Sequence, residues 1–156
     1  MMPRHVLSSL TDREGVADAL YRAMTGFDIN DYSLFKSAFA DQDAIVEIGQ
    51  KTIKGTEAIR TQLYDLVAQM DTTHMITNLR IDIQDEASKA AVSALSLAQH
   101  CPLGKGQQPD GSKYTGGTMY VLDMVKDGSD GTWRIQKWVM KGIWGQGDFS
   151  VMQNIL

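Results

Sequence analysis

Cysteine, proline and histidine are scarce in this sequence. Its 156 residues include one cysteine, Cys101, together with three prolines and three histidines. A single cysteine excludes an intrachain disulfide framework and is typical of a reducing compartment, so we expect a cytoplasmic protein. The histidines stand at positions 5, 74 and 100, and there is no Cys-x-x-Cys, His-x-His or His-Glu-x-x-His motif. We therefore expect no metal site, because metal sites commonly show such local spacing.

A positive charge excess and long apolar runs are missing as well. The formal net charge is −4, which argues against nucleic acid or an anionic membrane as the main partner. The first residues, MMPRHVLSSLTDREG, contain only a short apolar stretch before charges return. Such a stretch predicts neither a secretory signal nor a membrane span.

The composition is that of a globular protein. Hydrophobic residues make up 43% of the chain and charged residues 22%, so extensive disorder is not expected. A chain of this length can bury most of its apolar surface around one core. No repeat, low-complexity segment or linker divides it. We expect a single domain over residues 1–156, with its core at about residues 10–150.

Three helices are predicted in the N-terminal half. The residues TDRE at 11–14 have the form of a capping box, and the apolar stripe that follows predicts a helix ending near Gly26. Residues 30–31 can cap a second, shorter helix. A turn at residues 54–55 leads into the third helix, TEAIRTQLYDLVAQM. The buried face of the second helix is expected to consist of Tyr32, Phe35 and Phe39.

Strands dominate the rest of the chain. A short strand is predicted at residues 44–48, and long strands at about 74–83, 89–100, 114–126 and 132–144. Helices followed by an antiparallel meander favour an α+β fold, a cone-shaped barrel of a curved, mostly antiparallel sheet with three N-terminal-half helices. Such a cone leaves a cavity at its open end.

His74 is the first candidate for chemistry in that cavity. Histidine titrates near neutrality, so an imidazole in a cavity can exchange a proton at working pH. From spacing alone, a strand histidine is more often structural than catalytic. Strict alternation also places His74 on the face opposite Leu79 and Ile81. If those apolar residues face the cavity, His74 reaches it only through a β-bulge near Thr77 and Asn78.

Asp28 and His100 complete the candidate group. A carboxylate on one ring nitrogen of a histidine fixes its tautomer and stabilises the imidazolium formed after proton abstraction. Asp28 can equally be a helix cap. Cys101 follows His100 directly, but neighbouring strand residues point to opposite faces, so we interpret Cys101 as a small buried apolar residue rather than a nucleophile.

Several segments together are similar to one known family. They are FDINDYSLF with Asp28, DTTHMITN with His74, LAQHCP with His100, YTGG, and DGTWRIQKWVMKGIWGQGDF. In order and spacing, they make the chain resemble the SnoaL-like branch of the nuclear-transport-factor-2-like superfamily and, within it, the scytalone dehydratase group.

The resemblance implies an activity and roles for these residues. His74 would be the general base that removes a proton α to a carbonyl, Asp28 would orient it, and His100 would exchange a proton with the leaving hydroxyl. No cofactor is implied, because a desolvated acid–base pair is enough for enolisation and loss of water. The substrate would be a hydrophobic polyketide-like, steroid-like or terpene-like small molecule.

The sequence also departs from the dehydratase pattern. The tyrosine before the aspartate is replaced by Phe27, and the Ser-x-Asn pair of the fourth strand falls near residues 119–121, where neither residue occurs. Tyr114, Tyr120 or Asn78 are candidate replacements that would polarise the carbonyl. The side chains expected to bind the substrate are Phe27, Asn78, Tyr114, Tyr120, Trp138, Met140 and Trp144.

The leading prediction is therefore a cofactor-independent dehydratase or isomerase of a hydrophobic hydroxylated carbonyl compound, in secondary-metabolite biosynthesis. Two alternatives stay open. One is a cyclase or pericyclase that uses pocket shape and hydrogen bonds; the other is a non-catalytic ligand-binding protein whose pocket is filled by Trp138, Met140 and Trp144. From the family resemblance we also expect a homodimer or homotrimer.

Overall fold

The capping box predicted for the first helix is formed. In the computed structural model, which describes residues 5–84 and 86–155, helix α1 spans Asp12–Asp28. The Thr11 hydroxyl accepts a hydrogen bond from the Glu14 backbone N–H, and the Glu14 carboxylate accepts one from the Thr11 backbone N–H. The helix continues past the expected end at Gly26, so Asp28 lies in its last turn.

Helix α2 crosses α1 at a glycine. It spans Tyr32–Ser37 and begins after Asp31, whose Oδ1 accepts a hydrogen bond of 2.9 Å from the Leu34 backbone N–H. A Cβ atom at Gly26 would lie 2.7 Å from the backbone nitrogen of Phe35. Only glycine allows the two helices to approach this closely, and the contact buries Phe35 as predicted.

Two features of the following segment were not predicted from the sequence. Strand β1, Ile45–Ile48, pairs with a second short strand, β2, Lys51–Lys54, where the sequence indicated only a turn. Four residues are too few to show a clear period of two. The third helix, α3, occupies residues 56–67, and its middle part, Arg60–Tyr64, is a π-helix.

Four long strands complete a six-stranded sheet. Its order is β2-β1-β6-β5-β4-β3, and all neighbours are antiparallel except β1 and β6, which are parallel. The α+β fold with a curved, mostly antiparallel sheet and three helices is confirmed. The sheet is nevertheless open, with β2 and β3 at its edges, so the cone is not a closed barrel. The long strands are β3 (Met70–Asp82), β4 (Lys89–Pro102), β5 (Tyr114–Lys126) and β6 (Trp133–Gly147).

The core lies between the helices and the inner face of this sheet. Leu20 of α1 and Ile135 and Trp138 of β6 are fully buried there. A short 3₁₀-helix, Phe149–Met152, follows β6. No helix in residues 5–84 and 86–155 combines the length and the hydropathy needed to cross a membrane.

A β-bulge in β3 determines which way His74 faces. Asn78 adopts φ +52°, and the register of β3 against β4 shifts at this point. Before the bulge His74 and Ile76 are partly buried on the inner face; after it Leu79 and Ile81 are. The extra residue reverses the alternation, so His74 and the later apolar residues share one face. The β-bulge that His74 was predicted to need in order to face the cavity is therefore present.

Two substitutions at Asn78 test the bulge. Valine is strongly disfavoured at positive φ, whereas glycine adopts it freely, so Asn78→Val should be about 1–2 kcal/mol less stable than Asn78→Gly. Urea unfolding followed by circular dichroism measures the free energy of unfolding of both. Thr77, which is exposed and in register with Leu95, provides the control. There valine should be the more stable of the two, and equal stability of the Asn78 variants would contradict the bulge.

Candidate active site

A cavity of about 230 Å³ lies inside the cone, between the inner face of the sheet and the helices. Its walls are mainly apolar and aromatic, and the titratable side chains on them are His74, His100 and two tyrosines. Among the described residues, none of the lining side chains is a lysine, arginine, aspartate or glutamate. Six residues that were expected to bind the substrate line it: Phe27, Tyr114, Tyr120, Trp138, Met140 and Trp144.

Asp28 and His74 form a hydrogen-bonded pair beside this cavity. His74 Nδ1 lies 2.7 Å from Asp28 Oδ1, and the His74 backbone N–H donates to Asp28 Oδ2 at 2.9 Å. The Thr72 hydroxyl donates to Asp28 Oδ1 at 2.8 Å. The carboxylate is therefore held by three donors from one strand, β3.

These donors stabilise the negative charge of Asp28 at an unfavourable position in helix α1. Asp28 is the last residue of α1, where the helix dipole disfavours negative charge, and no basic side chain lies in that last turn. Burial acts to raise the pKa of Asp28, but the hydrogen bonds and electrostatic attraction of His74, with the Thr72 hydroxyl, outweigh it and lower the pKa below its usual value. Asp28 is ionised at neutral pH.

An ionised Asp28 determines the tautomer of His74. Because Oδ1 can only accept, His74 Nδ1 carries the proton and donates it. In the neutral ring the lone pair is therefore on Nε2, on the far side of the ring, and Nε2 has no hydrogen-bond partner among the described residues. The His74 side chain is 6% exposed and its ring stacks on Phe27 with a centroid distance of 5.5 Å. In its neutral form, the His74 ring that Asp28 orients thus presents a nitrogen lone pair on the wall of an apolar cavity.

His100 stands edge-on to His74. The ring centroids are 5.1 Å apart and the ring planes are nearly perpendicular. Burial, with a further contribution from His74, lowers the pKa of His100 to about 4. His100 is therefore neutral at physiological pH, and its Nδ1 is buried without a hydrogen-bond partner among the described residues. It can offer hydrogen bonds in the cavity but not a positive charge.

Tyr120 and Trp138 provide polar groups deeper in the cone. Both side chains are buried, and their rings meet edge to face with centroids 5.0 Å apart. Burial raises the pKa of Tyr120 to about 12, so its hydroxyl stays protonated and can donate. Trp138 Nε1 is buried and has no hydrogen-bond partner in the described part of the chain.

Trp144 lies at the side of the cavity and is 50% exposed. A Cβ atom at Gly117 would come within 2.3 Å of Trp144 Nε1, so the indole lies across a strand position that only glycine leaves free. Trp138, Met140 and Trp144 line the cavity without filling it. The filled cone expected of the non-catalytic alternative is not observed.

Asn78 was expected to bind the substrate, but it does not line the cavity. It is exposed at the bulge, where its left-handed backbone turns the residue away from the inner face. Cys101 is buried beside Gln99 in a separate groove, outside the cavity. No group of three or more His, Cys, Asp or Glu side chains that could hold a metal ion occurs within residues 5–84 and 86–155.

Sequence reasoning missed Thr72, Met152 and Ile155. Thr72 lies two residues before His74 on the same strand, a spacing that places both on one face. Met152 and Ile155 line the cavity from the segment after β6, and no periodic pattern in the sequence marks it.

A protein family and a relative each match most of the chain. The family described as SnoaL-like domain matches residues 8–139. Terrestric acid biosynthesis cluster protein E of Penicillium crustosum is 41% identical over 150 residues, covering 96% of this chain and 95% of that protein.

Solved structures show the same fold. A provisionally named scytalone dehydratase from Novosphingobium aromaticivorans has a TM-score of 0.73 at 19% identity and covers 88% of this chain and 87% of its own. The hexachlorocyclohexane dehydrochlorinase LinA-type3 from Novosphingobium barchaimii has a TM-score of 0.69 at 22% identity, covering 87% and 89%. At identities this low, the structural similarity establishes the fold alone. The family match over residues 8–139 shows that the chain belongs to the SnoaL-like domain family, as the resemblance predicted.

Proposed function

We propose that the protein is a cofactor-independent lyase or isomerase that removes a proton α to a carbonyl of a hydrophobic, hydroxylated small molecule. One observation carries the proposal. His74 is bound to Asp28 through Nδ1, and its ring forms part of the cavity wall with Nε2 unpaired. This is the arrangement of an oriented general base next to a space for a substrate.

The reaction can be written with the groups in the cavity. His74 Nε2 takes the α-proton, and the electron pair of the C–H bond moves into an enol or enolate. The imidazolium is stabilised by the Asp28 carboxylate. In a dehydration, the electrons then expel the β-hydroxyl, which leaves as water after receiving the proton from His74 Nε2. In an isomerisation, the same proton returns to another carbon.

Neutral groups would assist both steps. The Tyr120 hydroxyl is protonated and buried, so it can donate to the carbonyl oxygen as negative charge develops there. His100 is neutral, so it would hydrogen-bond the leaving oxygen rather than protonate it from an imidazolium. The resemblance implied that His100 exchanges a proton with the leaving hydroxyl; we propose instead that it acts as a neutral hydrogen-bond partner.

The lining of the cavity supports an uncharged substrate. An anionic group would be desolvated there without a cation among the lining residues described, which costs several kcal/mol. The 41% identical relative is a biosynthesis cluster protein. We therefore place this chain in secondary-metabolite biosynthesis, acting on a neutral carbonyl compound.

A cyclase or pericyclase of the same fold is the second candidate, favoured by the largely apolar, shape-defining walls. It would use the cavity and its hydrogen-bond donors without proton transfer by His74. A rate that does not depend on pH, and that survives loss of the imidazole, would distinguish it from the acid–base enzyme.

The proposed function is tested by deleting the gene in its source organism and identifying the compound that accumulates. Purified wild-type protein should convert this compound into one that differs by one water or is an isomer. His74→Gln and Asp28→Asn should lower kcat by about 10²–10⁴-fold, because one removes the base and the other favours the wrong tautomer.

His5→Gln serves as the matched control for these variants. His5 lies outside the cavity, where it contacts Asp31 and Ser33, and its replacement should leave turnover unchanged. Circular dichroism checks that all variants are folded. Full activity of His74→Gln would refute general-base catalysis by this residue.

A pH-dependent stability is expected from His100. Its pKa is about 4 in the folded protein, whereas an exposed histidine titrates near about 6.5. As the pH falls from about 6.5 to about 4, the unfolded chain takes up a proton that the folded protein does not bind, so stability decreases through this window and levels off below it. In His100→Gln this contribution is absent.

Urea unfolding at several pH values measures the effect. The difference in free energy of unfolding between wild type and His100→Gln should shift against the wild type by roughly 3 kcal/mol across this window. Taking the difference removes the contribution of the carboxylates, which also weaken the fold in acid. Parallel curves for the two proteins would contradict a neutral, buried His100.

A further inference from the structure

The Thr72 hydroxyl and His74 share one oxygen of Asp28. Thr72 Oγ1 lies 2.8 Å from Asp28 Oδ1, and His74 Nδ1 lies 2.7 Å from the same atom. Both side chains come from β3, two residues apart, so one stretch of strand directs two donors at one acceptor. A carboxylate oxygen accepts about two hydrogen bonds in its plane, so this oxygen is saturated.

We propose that Thr72 is a positioning residue of the site, whose hydroxyl holds Asp28 as an acceptor and thereby keeps His74 in the tautomer with a free Nε2. The catalytic consequence rests on the proposed function, whereas the hold on Asp28 does not depend on it. Thr72 is absent from the cavity wall and acts through Asp28.

The environment of Asp28 disfavours an ionised carboxylate, and the Thr72 hydroxyl is one of the donors that oppose this effect. The carboxyl group is partly buried at the C-terminus of α1, and both conditions favour its protonated form. A protonated Asp28 could donate its hydrogen to His74 Nδ1. The imidazole proton would then sit on Nε2, and the lone pair needed to take a proton from the substrate would be lost.

Water is the alternative to the Thr72 hydroxyl as a donor to Asp28. Asp28 and Thr72 also line a groove outside the cavity, together with Gln99 and Cys101, and this groove is more polar than the cavity. Without the hydroxyl, water in this groove would be the alternative donor to Oδ1. A water molecule is not tied to β3, so it would not fix the carboxylate relative to His74 as the Thr72 side chain does.

The chain offers a matched pair of threonines for the test. Thr73 is the next residue on β3; it is exposed and makes no hydrogen bond to Asp28. Thr72→Val removes the hydroxyl at nearly constant shape, and Thr72→Ser restores it. Thr73→Val makes the same chemical change at a position that makes no hydrogen bond to Asp28.

The first readout follows the Asp28 carboxyl by ¹³C NMR as the pH is lowered. The hydroxyl of Thr72 lowers the pKa of Asp28, so the pKa should rise in Thr72→Val, return towards the wild-type value in Thr72→Ser, and stay unchanged in Thr73→Val. Identical titration of Asp28 in Thr72→Val and Thr73→Val would overturn the proposal.

The second readout is turnover of the compound that accumulates in the deletion strain. Thr72→Val should lower kcat about tenfold with little change in KM, and Thr72→Ser should recover to within about twofold of wild type. A serine variant as slow as the valine variant would overturn the positioning role. If His74→Gln is fully active, the proposed function fails, and the NMR titration still decides whether Thr72 holds Asp28.

Discussion

The hydrogen bond between Asp28 and His74 is the interaction on which the site depends. It joins the C-terminal end of α1 to β3, so the helix that covers the sheet also orients the imidazole. The bond determines the tautomer of His74, because the ionised Asp28 can only accept hydrogen bonds. It places the proton of His74 on Nδ1 and leaves Nε2 for the cavity. The backbone N–H of His74 and the Thr72 hydroxyl hold the same carboxylate, so the tautomer is determined by one short segment of strand.

The ionised carboxylate of the site lies on the side of His74 that faces away from the cavity. Asp28 lines the polar groove and not the cavity, whereas the cavity contains a His100 with a pKa of about 4 and a Tyr120 with a pKa of about 12. Both are neutral at physiological pH. In the proposed reaction, a proton moving from a carbon to His74 would therefore create a pair of opposite charges between base and substrate, with Asp28 behind the base. Because the walls are largely apolar, these electrostatic interactions would be screened less than in bulk water.

The sequence predicted the long periodic elements and the identity of the central group, but not its geometry. Helix α1 and the strands β3 to β6 show clear periods. Asp28, His74 and His100 were chosen for the chemistry of their side chains, and the family resemblance then linked these residues, which are distant in the chain, to one site. Strand β2 and the π-helical turn are too short to produce a pattern. The bulge at Asn78 reverses the face of His74 through one positive φ angle, and Asn78 could equally have continued the strand. Thr72 was missed because its role depends on an atom of α1 that local spacing does not reveal.

The protonation of the His74 ring tests the central claim most directly. Long-range ¹H–¹⁵N correlation spectra of the wild-type protein, recorded at mildly alkaline pH and assigned with a His74→Gln variant, report which ring nitrogen carries the hydrogen. We expect a neutral ring protonated at Nδ1 with an unprotonated Nε2, because Asp28 accepts at 2.7 Å. A spectrum showing His74 protonated at Nε2 would contradict it.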